Sequence, residues 1–169
     1  GRVLERLEDL ARGKQVVVEI GSWKGRSAAT MGRVVEGLMY CIDTWQGDGS
    51  PDQQEAFEDP ISVYRQFLAY VNHFAPGKVV PICQPSQTAW RYFPGRPIDL
   101  LFVDGDHTYA GVFSDLLNWV HRVKWEGVVC GDDYNWPNVG GAVNAYARMN
   151  GWSVRSEVDG KMWFLERAE

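Results

Sequence analysis

The chain has 169 residues, of which 45% are hydrophobic and 23% are charged, and this length and composition predict a single domain over residues 1–169. Its net charge is −5 and lysine and arginine form no long cluster, so we expect no nucleic-acid partner. Without a membrane-length apolar run, a signal-peptide pattern or a Cys-x-x-Cys pair, the chain is expected to have no membrane partner and to be cytoplasmic.

Hydrophobic spacing predicts helices and strands that alternate along the chain. An amphipathic helix is predicted over residues 3–11, followed by a β-branched strand over Val16–Ile20. Further strands are predicted at 38–42, 79–83, 98–103 and 128–130, and further helices at 28–35, 64–71, 86–93, 112–123 and 139–147. Five strand–helix units of this kind indicate an open parallel sheet with helices on both faces.

The last segment departs from this alternation. Two apolar runs, one ending at Val158 and one over residues 162–165, flank the pair Asp159-Gly160. Asp-Gly between two apolar runs is a strong hairpin signal. The predicted fold class is therefore α/β, with a doubly wound, mostly parallel seven-stranded sheet that ends in an antiparallel C-terminal hairpin.

A glycine-containing turn follows the first strand and begins the next helix. The sequence there is Glu19-Ile20-Gly21-Ser22-Trp23-Lys24-Gly25. The two glycines allow the backbone to approach a ligand closely, and the helix start offers free N–H groups. Asp43, at the end of the second strand, is placed to accept the hydroxyls of a ribose. The combination predicts a cofactor that contains adenosine, with a plain strand–helix turn as the alternative.

Carboxylates also follow the fourth and fifth strands. Asp104 ends one strand, and Asp132 and Asp133 end the other. Neighbouring strands lie about 4.8 Å apart, so these three side chains should converge, and their repulsion would be offset by a cation. Oxygen ligands favour Mg²⁺, with Mn²⁺ or Ca²⁺ as substitutes. The alternative is that the aspartates only cap a turn and a helix.

Further residues near these strand ends have two possible interpretations. His107 could act as a general base, with an acid such as Asp132 as the alternative base, or could have no chemical role. Trp23, Trp45 and Trp136 could stack on adenine or an acceptor, or could pack structurally. The acidic loop over residues 46–60 could close as a lid, which would disfavour an anionic acceptor, or could remain a surface loop.

The motifs together resemble those of class I S-adenosylmethionine-dependent methyltransferases. The resemblance rests on EIGSWKG, Asp43, the terminal hairpin, and the combination of DLLFVDGDHTY with GDDY. The last combination is similar to the metal-dependent macrolide and aminocoumarin sugar O-methyltransferases. It implies metal ligands at Asp104, Asp132 and Asp133, and a base at His107. The resemblance to the class as a whole implies contacts with the cofactor at Glu19, Gly21, Ser22, Gly25, Asp43, Trp45, Ser86 and Asp104.

The resemblance implies Mg²⁺-dependent methylation of a hydroxyl on a sugar or another small-molecule acceptor. A homo-oligomer is compatible with it. One alternative is an NAD(P)-dependent Rossmann oxidoreductase, but the sequence lacks G-x-G-x-x-G, and that reading leaves the three aspartates and the hairpin unexplained. The other alternative is a non-catalytic adenosine-binding module, which metal binding would distinguish from an enzyme.

Overall fold

Seven strands form one sheet in the computed structural model, which describes residues 1–47 and 59–168. The strand order is β3-β2-β1-β4-β5-β7-β6; β1 to β5 pair in parallel, and β7 runs antiparallel to both β5 and β6. The strands are β1 (Val16–Ile20), β2 (Leu38–Asp43), β3 (Val79–Cys83), β4 (Ile98–Val103), β5 (Val123–Gly131), β6 (Ser153–Glu157) and β7 (Met162–Glu166). The structure therefore confirms the predicted fold class.

Helices cover both faces of the sheet, as the continuous apolar strands require. The described helices are α1 (Arg2–Ala11), α2 (Arg26–Gly32), α3 (Pro60–Phe74), α4 (Ser86–Ala89), α5 (Tyr109–Trp119) and α6 (Pro137–Asn150), and a 3₁₀ turn covers Val120–Arg122. Helices α1, α2 and α3 pack on one face, and α4, α5 and α6 pack on the other. All five residues of β1 are buried between these two layers. None of the described helices has the length and apolar character needed to cross a membrane.

Two elements differ in length from their predictions. Helix α4 ends at Ala89, because the next amides bond three residues back instead of four: Arg91 donates to the carbonyl of Thr88. Strand β5 begins at Val123, five residues earlier than predicted. Its first half contains Lys124 and Glu126 on an exposed stretch, so hydrophobicity alone does not reveal it. Both differences leave the carboxyl ends of the strands where they were predicted.

Candidate functional site

The glycine turn after β1 crosses directly over the end of β4. Gly21 has φ +85°, and a side chain there would overlap the backbone carbonyl of Asp104. Gly25 has φ +82°, and its added Cβ would lie 2.8 Å from the ring of Phe67 in α3. Both positions therefore require glycine for conformation and for space. The consequence is that the predicted cofactor turn and the predicted metal ligand Asp104 lie side by side.

Asp43 holds this turn in place through its carboxylate. Its Oδ2 accepts hydrogen bonds from the backbone N–H groups of Ser22 at 2.9 Å and Trp23 at 2.8 Å. Its Oδ1 accepts from the backbone N–H of Trp45 at 2.7 Å. A carboxylate has about four acceptor positions, so three of them are used within the protein. Ribose binding by Asp43 stays a prediction, and the structure adds that Asp43 shapes the turns on both sides.

Glu19 is a buried carboxylate beneath the same turn. Its Oε2 accepts a 2.6 Å hydrogen bond from the hydroxyl of Ser22, and the Cys41 thiol lies 3.6 Å away. Burial raises the pKa of Glu19 to about 7. Among the described residues, no group reaches its Oε1 with good hydrogen-bond geometry, although the Ser27 hydroxyl lies near enough to the carboxyl to lower its pKa. A buried polar atom without a partner needs an explanation, and a donor on a bound molecule would supply one.

Trp45 lies next to the predicted cofactor site but points into the core. Its side chain is 2% exposed and packs against Tyr64 and Phe67 of α3, with ring centroids 4.6 and 4.8 Å away. Its indole N–H donates to the backbone carbonyl of Trp23 at 2.8 Å. Trp45 therefore supports the glycine turn from below, while Trp23 is exposed on the surface. Contact between Trp45 and a cofactor stays a prediction.

Three side chains that could hold a metal ion meet at the ends of β4 and β5. Ligand atoms of Asp104, His107 and Asp133 all lie within 4.8 Å of one another. His107 Nε2 is 3.0 Å from Asp133 Oδ2 and 3.8 Å from Asp104 Oδ1. Asp133 adopts the left-handed backbone conformation, with φ +55°. The convergence of two of the predicted ligands is thus present, together with the predicted base.

Asp132 is the predicted ligand that does not belong to this three-residue cluster. Its Oδ1 accepts a 2.9 Å hydrogen bond from the backbone N–H of Asp133. Its backbone carbonyl accepts from the indole of Trp163 in β7 at 3.1 Å. In this arrangement Asp132 shapes the turn after β5. Its roles as a ligand and as an alternative base stay predictions.

The charged groups of the cluster strongly affect one another's protonation. Asp104 and Asp133 together raise the pKa of His107 to about 10. Burial raises the pKa of Asp104 to about 6, against the lowering effect of His107. A protonated His107 therefore offsets part of the repulsion between the carboxylates, a role that the sequence argument gave to a metal ion alone. Its ring also packs against Trp136 of the α6 N-terminus, with centroids 4.9 Å apart.

Ser86 and Asp115 form a further polar contact at the edge of the site. Asp115 in α5 is 2% exposed, and its Oδ1 accepts a short hydrogen bond from the Ser86 hydroxyl. Burial raises the pKa of Asp115 to about 7, and the charge of Asp106 adds to the effect. Sequence reasoning missed Asp115. The sequence signal was that Asp115 lies at helical spacing between Val112 and Trp119, on the face that the other residues mark as apolar.

A shallow pocket of about 370 Å³ lies between the α1 segment, the start of α2 and the hairpin. Its lining includes Arg2, Arg26 and Lys161. Arg2 pairs with Asp159 at 2.5 Å, whereas the side chains of Arg26 and Lys161 have no ion-pair partner within the described ranges. The pocket therefore presents positive charge close to the start of α2.

The acidic loop predicted as a lid lies mostly outside the described residues, at positions 48–58. Near the end of the loop, Asp59 caps α3 by accepting a 3.1 Å hydrogen bond from the backbone N–H of Ser62.

Comparisons with known proteins agree with this fold. A family model described as a methyltransferase domain matches residues 18–134. The O-methyltransferase NovP superposes with a TM-score of 0.75 at 18% identity, covering 99% of this chain and 80% of NovP. CalS11, a TDP-rhamnose 3'-O-methyltransferase of calicheamicin biosynthesis, gives 0.65 at 18% identity, covering 99% and 77%. SMU.1697c from Streptococcus mutans, solved with SAH, gives 0.71 at 10% identity, covering 99% and 96%. No curated protein matched significantly by sequence.

Proposed function

This chain belongs to the methyltransferase family whose model matches residues 18–134, and we propose that it is an S-adenosylmethionine-dependent O-methyltransferase. The proposed acceptor is a hydroxyl on a sugar or another small molecule, and the proposed metal is Mg²⁺, with Mn²⁺ or Ca²⁺ as substitutes. The observation that carries the proposal is the position of Asp104. Its backbone contacts Gly21 of the cofactor turn, and its carboxylate joins the cluster with His107 and Asp133.

The residues around the glycine turn fit S-adenosylmethionine. That cofactor supplies an electrophilic methyl group and carries an ammonium donor, a carboxylate and a ribose. The unpartnered Oε1 of buried Glu19 suits a donor of positive charge. Gly21, Ser22 and Gly25 bring backbone close to the ligand, and Asp43 keeps one acceptor position for a ribose hydroxyl.

The donor set of the cluster fits a divalent cation. The two aspartates offer the hard oxygen ligands that Mg²⁺ and Mn²⁺ prefer, whereas an imidazole ligand is a softer donor than Mg²⁺ prefers. Asp104 and Asp133 would hold the ion, and either Asp132 or His107 would complete the protein ligands. A bound divalent cation lowers the pKa of a hydroxyl and fixes its position. His107 Nε2 is buried 3.0 Å from Asp133 Oδ2, so engagement of Asp133 by a cation would free it to act on an acceptor.

His107 is proposed to accept the proton of the acceptor hydroxyl. It can do so only as the neutral imidazole, yet the two free carboxylates raise its pKa to about 10. Engagement of Asp104 and Asp133 with a divalent cation would weaken their hold on that proton and return the imidazole to its neutral form. The same carboxylates therefore link the state of His107 to occupation of the site.

The relatives in structure guide the proposal for the acceptor. NovP is an O-methyltransferase, and CalS11 acts on TDP-rhamnose. Trp136, 49% exposed beside His107, offers a flat apolar surface of the kind on which sugar rings stack.

Metal binding should raise the melting temperature of the protein. At Mg²⁺ or Mn²⁺ concentrations about a hundredfold above Kd, mass action stabilises the fold by about 2.7 kcal/mol. For a domain of this size that corresponds to roughly 5–10 °C, measured by differential scanning fluorimetry. EDTA should reverse the shift, and Asp133→Asn should remove it, whereas Asp9→Asn on the exposed face of α1 should keep it. Equal shifts in Asp133→Asn and wild type would rule out the proposed cation site.

A further inference from the structure

Asp115 is a buried carboxylate in an apolar environment, where a charged group does not favour stability. It is 2% exposed within the apolar face of α5, between Val112 and Trp119. No lysine, arginine or histidine pairs with it among the described residues. Burial of a polar acceptor without a cationic partner is unfavourable, and an apolar residue would fill the space at lower cost. Such a residue is a candidate for a functional role.

The contacts of Asp115 connect two loops at the carboxyl edge of the sheet. Its Oδ1 accepts a hydrogen bond from the hydroxyl of Ser86, the first residue of α4. Its Oδ2 lies close to Gly105, where an added Cβ would be 3.7 Å away. Trp119, one helical turn later, donates its indole N–H to the backbone carbonyl of Ser86 at 3.0 Å. Helix α5 therefore holds Ser86 by both its hydroxyl and its carbonyl.

The position of Ser86 suggests which part of a cofactor it meets. The segment after β3 leaves beside Asp43, since the N–H of Gln84 donates to the Asp43 carbonyl at 3.1 Å. The reacting methyl group must lie near Asp104 and His107, at the ends of β4 and β5. The opposite end of the cofactor must then extend over β1 and β2 towards β3. That end carries the purine.

We propose that Asp115 is a positioning residue for purine recognition, acting through the hydroxyl of Ser86. The inference rests on the proposed function, because it requires an adenosine-containing cofactor. Asp115 fixes the position of Ser86 and with it the segment after β3. Polar groups of that segment are thereby held where they can contact the edge of adenine. The carboxylate acts as an acceptor in this role. Asparagine, which keeps a side-chain oxygen, can replace it, and alanine cannot.

The test compares two ligands that differ only in the purine. Calorimetry measures the Kd of S-adenosylhomocysteine and of S-inosylhomocysteine, in which a carbonyl replaces the adenine amino group. Wild type should prefer the adenosine form. Asp115→Ala should weaken it by about five- to tenfold, as expected for one hydrogen bond, and should narrow the preference between the two ligands. Asp115→Asn should behave as wild type.

A double-mutant cycle separates positioning from a general structural effect. Ser86→Ala should reproduce the loss in Asp115→Ala, and the double variant should lose no more than either single change. Ser114→Ala, a serine of the same helix that contacts Asn118, serves as the matched control and should bind as wild type.

Three outcomes would overturn the inference. The first is an equal loss for both ligands in Asp115→Ala. The second is additive losses in the double variant. The third applies if Asp115→Ala does not fold: Ser86→Ala would then show the same preference between the adenosine and inosine ligands as wild type. Failure of wild type to bind either ligand would instead remove the proposed function, and this inference with it.

Discussion

Replacing Asp104 or Asp133 with alanine should reduce methyl transfer by about a thousandfold or more. Lewis-acid assistance contributes several kcal/mol to the transition state, and each 1.36 kcal/mol is about tenfold in rate. Cofactor binding should survive, because the part of Asp104 nearest Gly21 is its backbone, which the substitution leaves in place. The measurement is transfer of a radiolabelled methyl group to a hydroxyl acceptor in Mg²⁺, with S-adenosylhomocysteine affinity measured in parallel.

The Asp132→Ala variant shows which of the three aspartates are metal ligands. The structure places Asp132 at the turn after β5 and outside the cluster of Asp104, His107 and Asp133. A small effect in Asp132→Ala would assign the ligands to that cluster, and a loss equal to that of Asp133→Ala would assign Asp132 as the third aspartate ligand. Asp9→Ala is the control. A variant with all three aspartates changed to alanine that is as active in EDTA as the parent would show that the reaction needs no metal.

His107→Ala should lower the rate by about 10²–10⁴-fold, the usual contribution of a general base. The wild-type rate in the metal-loaded enzyme should rise with pH until His107 is neutral and then level off, because only the neutral imidazole accepts a proton. The alanine variant should lose this rising limb but keep most of its metal affinity. His121→Ala, at the exposed 3₁₀ turn after α5, is the matched histidine control and should retain the full rate.

Loss of metal affinity in His107→Ala would identify the imidazole as a ligand instead of a base. The geometry permits that outcome, since His107 Nε2 lies within the same 4.8 Å cluster as the oxygens of Asp104 and Asp133. An unchanged rate and pH profile would exclude both roles. The two measurements together therefore assign the side chain.

Strand ends were predictable from the sequence because parallel strands are continuous apolar runs, and the first polar residue marks where each leaves the core. Asp43, Asp104 and Asp133 were located in this way. The direction of each side chain was not predictable. Asp133 lies in the cluster with a positive φ, and Asp132, its neighbour, accepts a hydrogen bond within the turn instead. A two-residue acidic motif does not reveal which member points inward.

Tertiary packing explains the other differences between prediction and structure. For Trp45 the sequence left ligand stacking and structural packing open, and the structure shows its indole packed against Tyr64 and Phe67 of α3. Asp115 escaped notice because amphipathic spacing was read for apolar residues only. Its partner Ser86 is 29 positions away in the sequence, and only the packing of α4 on α5 brings the two together.

The central claim is that the chain binds S-adenosylmethionine through the glycine turn, and a calorimetric titration tests it most directly. We expect S-adenosylhomocysteine to bind, and NAD to bind much more weakly, because Gly21, Gly25 and Asp43 occur without the G-x-G-x-x-G of dinucleotide-binding domains. Asp43→Ala should weaken S-adenosylhomocysteine by about 1.5–3 kcal/mol, since a charged acceptor and the hydrogen bonds that shape the turn are both lost. NAD binding tighter than S-adenosylhomocysteine would contradict the account.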